Sequence, residues 1–188
     1  MSCTIISNNC AGGYLYMDLG LQYSSPTMWL QILPREFPKF CKYLKYYMDC
    51  ELKEYKHISQ NHMSQIVDLI GQEPYFPVGI LDDVVILFQH YKTLEEAREK
   101  WNRRKERIDY KHLIYLFVMD KVYEDAAIQY KNLDLKNSIL CVRNINLPVE
   151  HIRYLVPKGI DYLTINPYTR RRCFEGFADL KEYIRGIS

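Results

Sequence analysis

Short apolar runs alternating with amphipathic stretches constrain this chain more than any other feature. The longest apolar run is Leu113 to Met119, far too short for a membrane-crossing helix, which takes about 20 residues. Thr4 to Ser7, Phe76 to Leu81, Val84 to Phe88 and Ser138 to Val142 are further strand-like runs. Between them apolar residues recur at helical spacing. Phe37, Phe40, Cys41, Leu44, Tyr47 and Met48 predict an amphipathic helix from about Glu36 to Asp49. Leu94, Ala97, Trp101 and Ile108 share one face of a helix from Leu94 to about Ile108, and Thr93 and Glu96 have the spacing of a capping box at its start. Further helices are expected over Tyr14 to Leu21, Asn61 to Gln72, Tyr123 to Tyr130 and Phe177 to Ile187, with a helix start at Ser25-Pro26. Asp82-Asp83 marks a tight hairpin or a bend, and Asp161 to Ile165 reads as a last strand. Strands alternating with helices require crossover connections. The expected fold is therefore α/β: a mostly parallel, possibly mixed sheet with helices on both faces, in three layers, formed by residues 1–188 as a single domain.

A chain of 188 residues is long enough to bury roughly 70% of its unfolded surface. Its 25 basic and 23 acidic residues leave a net charge of +2, which gives no electrostatic footprint for nucleic acid. Met1 to Gly13 holds no Lys or Arg and lacks the form of a secretory signal. Six cysteines without a CxxC pair suggest free thiols in a reducing, cytoplasmic setting and no zinc site. No metal ligand set and no cofactor motif is visible.

In parallel sheets, ligands bind beyond the carboxyl ends of the strands. That rule selects Asn8, Asn9 and Cys10; Gln89 and His90; Asp120; Arg143 and Asn144; and Asn166. The first group continues into Ala11-Gly12-Gly13, where glycines and a helix N-terminus favour an anion. The segment matches neither the GxGxxG pattern nor a P-loop. Cys10 at a helix start is a candidate nucleophile. His90, followed by Tyr91, is a candidate general base or hydrogen-bonding partner between a strand and a capped helix. Asp82-Asp83 reads as turn chemistry rather than a metal pair. The basic run from Arg98 to Arg107, interrupted by Glu99 and Glu106, reads as a solvated face.

Ile5-Ile6-Ser7-Asn8-Asn9-Cys10-Ala11-Gly12-Gly13, Tyr23-Ser24-Ser25-Pro26-Thr27, Phe76-Pro77-Val78-Gly79, and His90-Tyr91 through Glu95-Glu96-Ala97 to Trp101 and Arg104 occur in this order. In that combination the chain resembles a bacterial family of unknown function described as exopolysaccharide biosynthesis proteins. The positions matching its motifs are Asn8, Asn9, Gly12, Gly13, Ser25, His90, Trp101 and Arg104. The resemblance implies a polysaccharide setting without a reaction. The leading expectation is a cytoplasmic transferase moving an acyl or glycosyl group, with an activated-sugar or acyl donor as partner. Alternatives are an esterase-like hydrolase using Ser7 or Cys10 with His90, and a non-catalytic assembly factor docking through the Tyr43 to Tyr55 region.

Overall fold

Two four-stranded sheets carry the chain, and they meet where the first strand ends. The computed structural model describes residues 3–187. Strand β1 (Thr4–Ser7) leads into helix α1 (Ala11–Leu19), which Gly20 closes in the left-handed region at φ 64°. Strands β6 (Leu113–Met119), β7 (Ser138–Arg143) and β8 (Ile152–Tyr154) complete a parallel sheet in the order β1-β6-β7-β8. Helix α6 (Glu124–Lys131) connects β6 to β7, and α7 (Leu180–Ile187) ends the described chain. The expected α/β class therefore holds.

The alternation along β6 shows why both faces are covered. Ile114, Leu116 and Val118 pack with Ala11 and Leu15 of α1 and Leu180 and Ile184 of α7. Tyr115, Phe117 and Met119 point the other way, into a core with Phe37, Ala126 and Tyr130. A strand buried on both faces reads as an unbroken apolar run, as the sequence does here.

The strands are not all in one sheet. Between α1 and β6 lies an antiparallel sheet of β2 (Gln31–Ile32), β3 (Lys53–Glu54), β4 (Val78–Leu81) and β5 (Val84–Leu87), in the order β2-β5-β4-β3. Asp82-Asp83 forms the two-residue loop of the β4–β5 hairpin, with Asp82 at φ 53°. Tyr47 and Lys39 bond Asp83 at 2.7 and 2.6 Å, and Tyr46 bonds Asp82 at 2.7 Å. These acids are thus spent on the turn.

The predicted helix from Glu36 to Asp49 is two, α2 (Phe37–Lys42) and α3 (Leu44–Asp49), broken at Tyr43 with φ −113° and ψ 34°. Helix α4 (Gln60–Ile70) is capped by Ser59 and closed by Gly71 at φ 80°. Helix α5 (Leu94–Lys105) has its Thr93 cap, but the Glu96 carboxylate accepts from Lys92 N–H rather than closing the box on Thr93.

Two expectations fail for clear reasons. Ser25-Pro26 starts no helix: Ser25 Oγ accepts the Thr27 N–H and pairs with Thr27 Oγ1, holding a buried strap along the free edge of β1. There Ser7 N–H donates to Thr27 Oγ1 and Ile5 N–H to the Tyr16 hydroxyl, so side chains satisfy an edge that would otherwise recruit another strand. Asp161 to Ile165 forms no strand, because the Asp161 carboxylate and carbonyl take the Leu163 and Thr164 N–H groups and close a turn.

Helix α4 is clasped at its N-terminal end by a buried chain of hydrogen bonds. Glu36 accepts from Val85 N–H at 2.6 Å and faces His62 Nε2 at 3.0 Å, while Tyr55 pairs with His62 Nδ1 at 2.9 Å. Burial raises the Glu36 carboxyl from 4.5 to about 7, and burial lowers His62. A raised carboxyl contributes stability that is complete below pH 4.5 and drains away as pH climbs to about 7. His62 acts in the opposite sense: stability grows as pH rises toward its ordinary 6.5 and is complete above it. Glu36→Gln, neutral at every pH, should therefore gain on the wild type between pH 4.5 and 7, by up to about 3 kcal/mol. Chemical denaturation across that range measures it, and parallel curves for the two proteins would refute the assignment.

Candidate functional site at the carboxyl edge of the parallel sheet

The site begins where β1 stops. Ser7 pairs with Leu116, so Val118 is left without a backbone partner on the β1 side. Asn8 supplies one. Its Oδ1 accepts from Val118 N–H at 2.9 Å and its Nδ2 donates to Val118 O at 3.0 Å. Asn8 O accepts from Ile32 N–H at 2.8 Å, which joins the antiparallel sheet to the same point.

Asn9 turns the chain into α1. Its Oδ1 accepts from Ala11 N–H at 3.0 Å, and its Nδ2 donates to Val118 O and to the Tyr162 hydroxyl at 3.0 and 3.2 Å. Gly12 follows because α1 lies against β1: a Cβ there would sit 2.7 Å from Ser7 Cβ. At Gly13 a Cβ would come within 3.2 Å of the Trp29 ring. Both glycines thus answer to packing.

A cleft of about 200 Å³ opens on this edge, lined by Asn8, Asn9, Gln31, Asp120, Lys121 and Tyr162 among others. Asp120 follows β6 directly. Its Oδ2 pairs with Arg143 at 3.2 Å, while Oδ1 is buried and has no hydrogen-bond partner among the described residues. The Tyr154 hydroxyl, at the end of β8, is likewise buried and without a partner among the described residues. Tyr154 and Tyr162 pack with ring centroids 6.4 Å apart. Burial, with the charge of Asp120 adding to it, pushes both phenols well above their ordinary value. They therefore stay protonated and serve as donors. Because Asn9 donates to Tyr162, the Tyr162 proton is left for another acceptor. Helix α4 forms one wall through Leu69, held by Asp68, which pairs with Lys121 and accepts from Tyr123 at 2.8 Å.

The other sequence-selected residues fall into a separate group. His90 and Gln89 follow β5, a strand of the antiparallel sheet, so the carboxyl-edge rule does not reach them. Gln89 still touches the cleft's rim through Gln31 at 3.1 Å. His90 is exposed, its ring 6.1 Å from Trp29. Tyr91 donates to Met28 O at 2.7 Å, and Arg104, buried rather than solvated, donates to the Tyr91 hydroxyl at 2.8 Å. Trp101 is fully buried beside them in the core. With Ser25, these residues fix the strap that carries Trp29, itself at φ 60°. Asn166 follows no strand, and its Oδ1 caps the N–H groups of Tyr168 and Thr169.

Cys10 lies at the start of α1 but lacks the environment of a nucleophile. Burial and the nearby Asp161 push its thiol up to about 12, so a thiolate is scarce at neutral pH. Gln31, Tyr154 and Tyr162 escaped the sequence reading. The sequence places Tyr162 in an expected strand from Asp161 to Ile165, where the structure has a turn.

The geometry defines an α/β protein with a polar cleft at the carboxyl edge of its parallel sheet. Residues 1–155 match the family described as "Domain of unknown function (DUF1919)". The chain belongs to this family. It is also 28% identical over 138 residues to an uncharacterized protein of Haemophilus influenzae, a stretch covering 73% of this chain and 60% of that protein. The chain thus spans about 60% of the length of the relative it matches. Among the described residues, no helix is long and apolar enough to cross a membrane.

Iodoacetamide applied to the native protein near neutral pH should leave Cys10 unmodified while the half-buried Cys50 reacts. Peptide mass mapping reads the result, and labelling of Cys10 as fast as Cys50 would overturn the account of its thiol.

Proposed function

We propose that this protein is a transferase that moves an acyl or glycosyl group on to a sugar hydroxyl in the making of a surface polysaccharide. The observation that carries the proposal is the lining of the carboxyl-edge cleft. Amides of Asn9 and Gln31, the Asp120 carboxylate and the protonated Tyr162 phenol converge there. The Gln31 amide, the Tyr162 phenol and the Asp120 carboxylate, beside a Lys121 ammonium already paired with Asp68, suit a polyhydroxylated ligand, whose hydroxyls both give and accept hydrogen bonds.

In this reading Asp120 is the general base. Its carboxylate takes the proton of the acceptor hydroxyl as that oxygen attacks the carbon of the donor. The bond from that carbon to the donor's leaving group breaks, and the leaving group departs with the electron pair. Arg143, paired with Asp120 at 3.2 Å, holds the carboxylate in place. His90, exposed beside Trp29, is not among the residues lining this cleft, so the base role passes to Asp120.

The transfer reading is preferred to the hydrolase reading on local grounds. Ser7 is fully buried beneath α1, and Cys10 holds its proton.

The test is transfer itself. The protein is incubated with nucleotide sugars or acetyl-CoA and a panel of monosaccharide acceptors, and products are read by mass spectrometry. Asp120→Asn should lower turnover by about 10²- to 10⁴-fold without changing the melting temperature by more than a few degrees. Wild-type rates in Asp120→Asn would sink the base assignment, and no transfer from any donor would sink the reading as a whole.

A further inference from the structure

We infer that the cavity between β8 and the segment from Asn166 to Ala178 binds a nucleoside diphosphate, the carrier portion of the donor. The inference rests on the transfer reading for its role, and it adds a site that the cleft around Asp120 does not contain. The cavity measures about 540 Å³, within the roughly 300–1,000 Å³ of pockets that hold drug-sized ligands. The cleft beside Asp120, at about 200 Å³, lies below that range.

Two features of the cavity define what it takes. The first is apolar surface left in water. Phe177 is 89% exposed and Leu155 70% exposed, and both line the same cavity. Phe177 lies outside α7, which starts only at Leu180, so no helix packing holds its ring. An exposed ring at a cavity mouth is a platform on which a flat heterocycle stacks. The second is an uncompensated cation. Among the described residues the Arg153 side chain makes one hydrogen bond, to Asn146 Oδ1 at 2.8 Å, and pairs with no carboxylate. Arg172, also in the lining, is by contrast spent on Asp18 at 2.7 and 2.9 Å. A flat ring and a negative charge on one molecule of this size describe a nucleoside diphosphate. The Asn144 side chain, exposed and without a hydrogen bond among the described residues, adds an amide at the same cavity.

Neighbouring residues link the cavity to the cleft. Asn144 follows Arg143, which pairs with Asp120 on one side and donates to Val156 O at 3.3 Å on the other. Tyr154 lines the cavity and packs against Tyr162, which lines the cleft, with the two rings tilted. A diphosphate held at Arg153 would direct the group it carries past Arg143 toward Asp120. The C-terminal wall of the cavity is fixed by close approach: a Cβ at Gly176 would lie 2.5 Å from Arg153 O. That wall lies beyond the residues matching the family, which end at 155.

Both a nucleotide sugar and coenzyme A carry a nucleoside diphosphate, and the test separates them. Binding of UDP, GDP, ADP, coenzyme A and inorganic diphosphate to the full chain is measured by thermal shift and calorimetry. The same is done with Phe177→Ala, Arg153→Gln and Asp120→Asn. Phe177 and Arg153 are exposed, so neither change disturbs the core. The inference expects at least one nucleotide to bind the wild type more tightly than inorganic diphosphate. Phe177→Ala and Arg153→Gln should each weaken that nucleotide roughly ten-fold or more, and Asp120→Asn should leave it unchanged. Tighter binding of UDP, GDP or ADP than of coenzyme A identifies a nucleotide sugar as the source, and tighter binding of coenzyme A than of ADP identifies an acyl donor. No nucleotide binding at millimolar concentration, or equal binding by the Phe177 and Arg153 variants, overturns the inference. Asp120-dependent transfer without nucleotide affinity would leave the transfer reading standing alone; nucleotide affinity without transfer would do the reverse.

Discussion

A side chain standing in for a missing strand holds this structure together at its most consequential point. β1 ends two residues short of Val118, and the Asn8 amide extends the ladder in its place. A buried peptide group left unpaired costs about 1–3 kcal/mol, so a chain that leaves the sheet here needs such a substitute. An amide is suited to the task because one end accepts and the other donates, as a peptide group does. The same residue receives Ile32 through its carbonyl and so sets where the antiparallel sheet meets the parallel one. Asn9 bonds the same carbonyl of Val118 and then starts α1. Asp120, two residues beyond Val118, comes out at the edge of the cleft as a result.

This arrangement separates two kinds of residue that look alike in the sequence. Asn8, Gly12, Gly13, Ser25, Tyr91 and Arg104 have their polar atoms or their smallness committed to the fold, and Trp101 commits its buried ring to the core. They tie the β1 edge, the strap and helix α5 to one another. Groups with spare capacity remain at the carboxyl edge: Asp120 Oδ1 and the Tyr154 hydroxyl, buried without a partner among the described residues, and the Tyr162 hydroxyl, which accepts from Asn9. A polar group buried without a partner is costly, and at the edge of a cleft that cost is what a bound ligand would relieve.

Much of this was legible in the sequence because local rules and the fold agree. Leu113 to Met119 reads as a doubly buried strand and is one. Thr93 caps α5, and Asp82-Asp83 turns a hairpin. The carboxyl-edge rule picked out Asn8, Asn9, Asp120 and Arg143, all of which sit at the predicted edge. It misled at His90 because the strand before it belongs to the other sheet, and strand runs carry no mark of which sheet they will join. β8, with three residues, is too short to stand out from the turns around it. Tyr162 was out of reach for a different reason: it meets Asn9 across a separation of 153 residues, and no local pattern encodes that contact. Nor does sequence distinguish an Arg104 committed to Tyr91 from its solvated neighbours on α5.

The most direct test of the central claim is amide hydrogen exchange at Val118 in Asn8→Ala. If the Asn8 side chain completes the ladder, Val118 N–H loses its protection, because Oδ1 was its acceptor, while Val118 O keeps Asn9. Stability should fall by about 1–3 kcal/mol, with the loss of protection spreading to Asp120. If Asn8 instead serves a ligand, Val118 exchanges in the variant as slowly as in the wild type and stability is unchanged, and the separation of scaffold from chemistry drawn above is wrong.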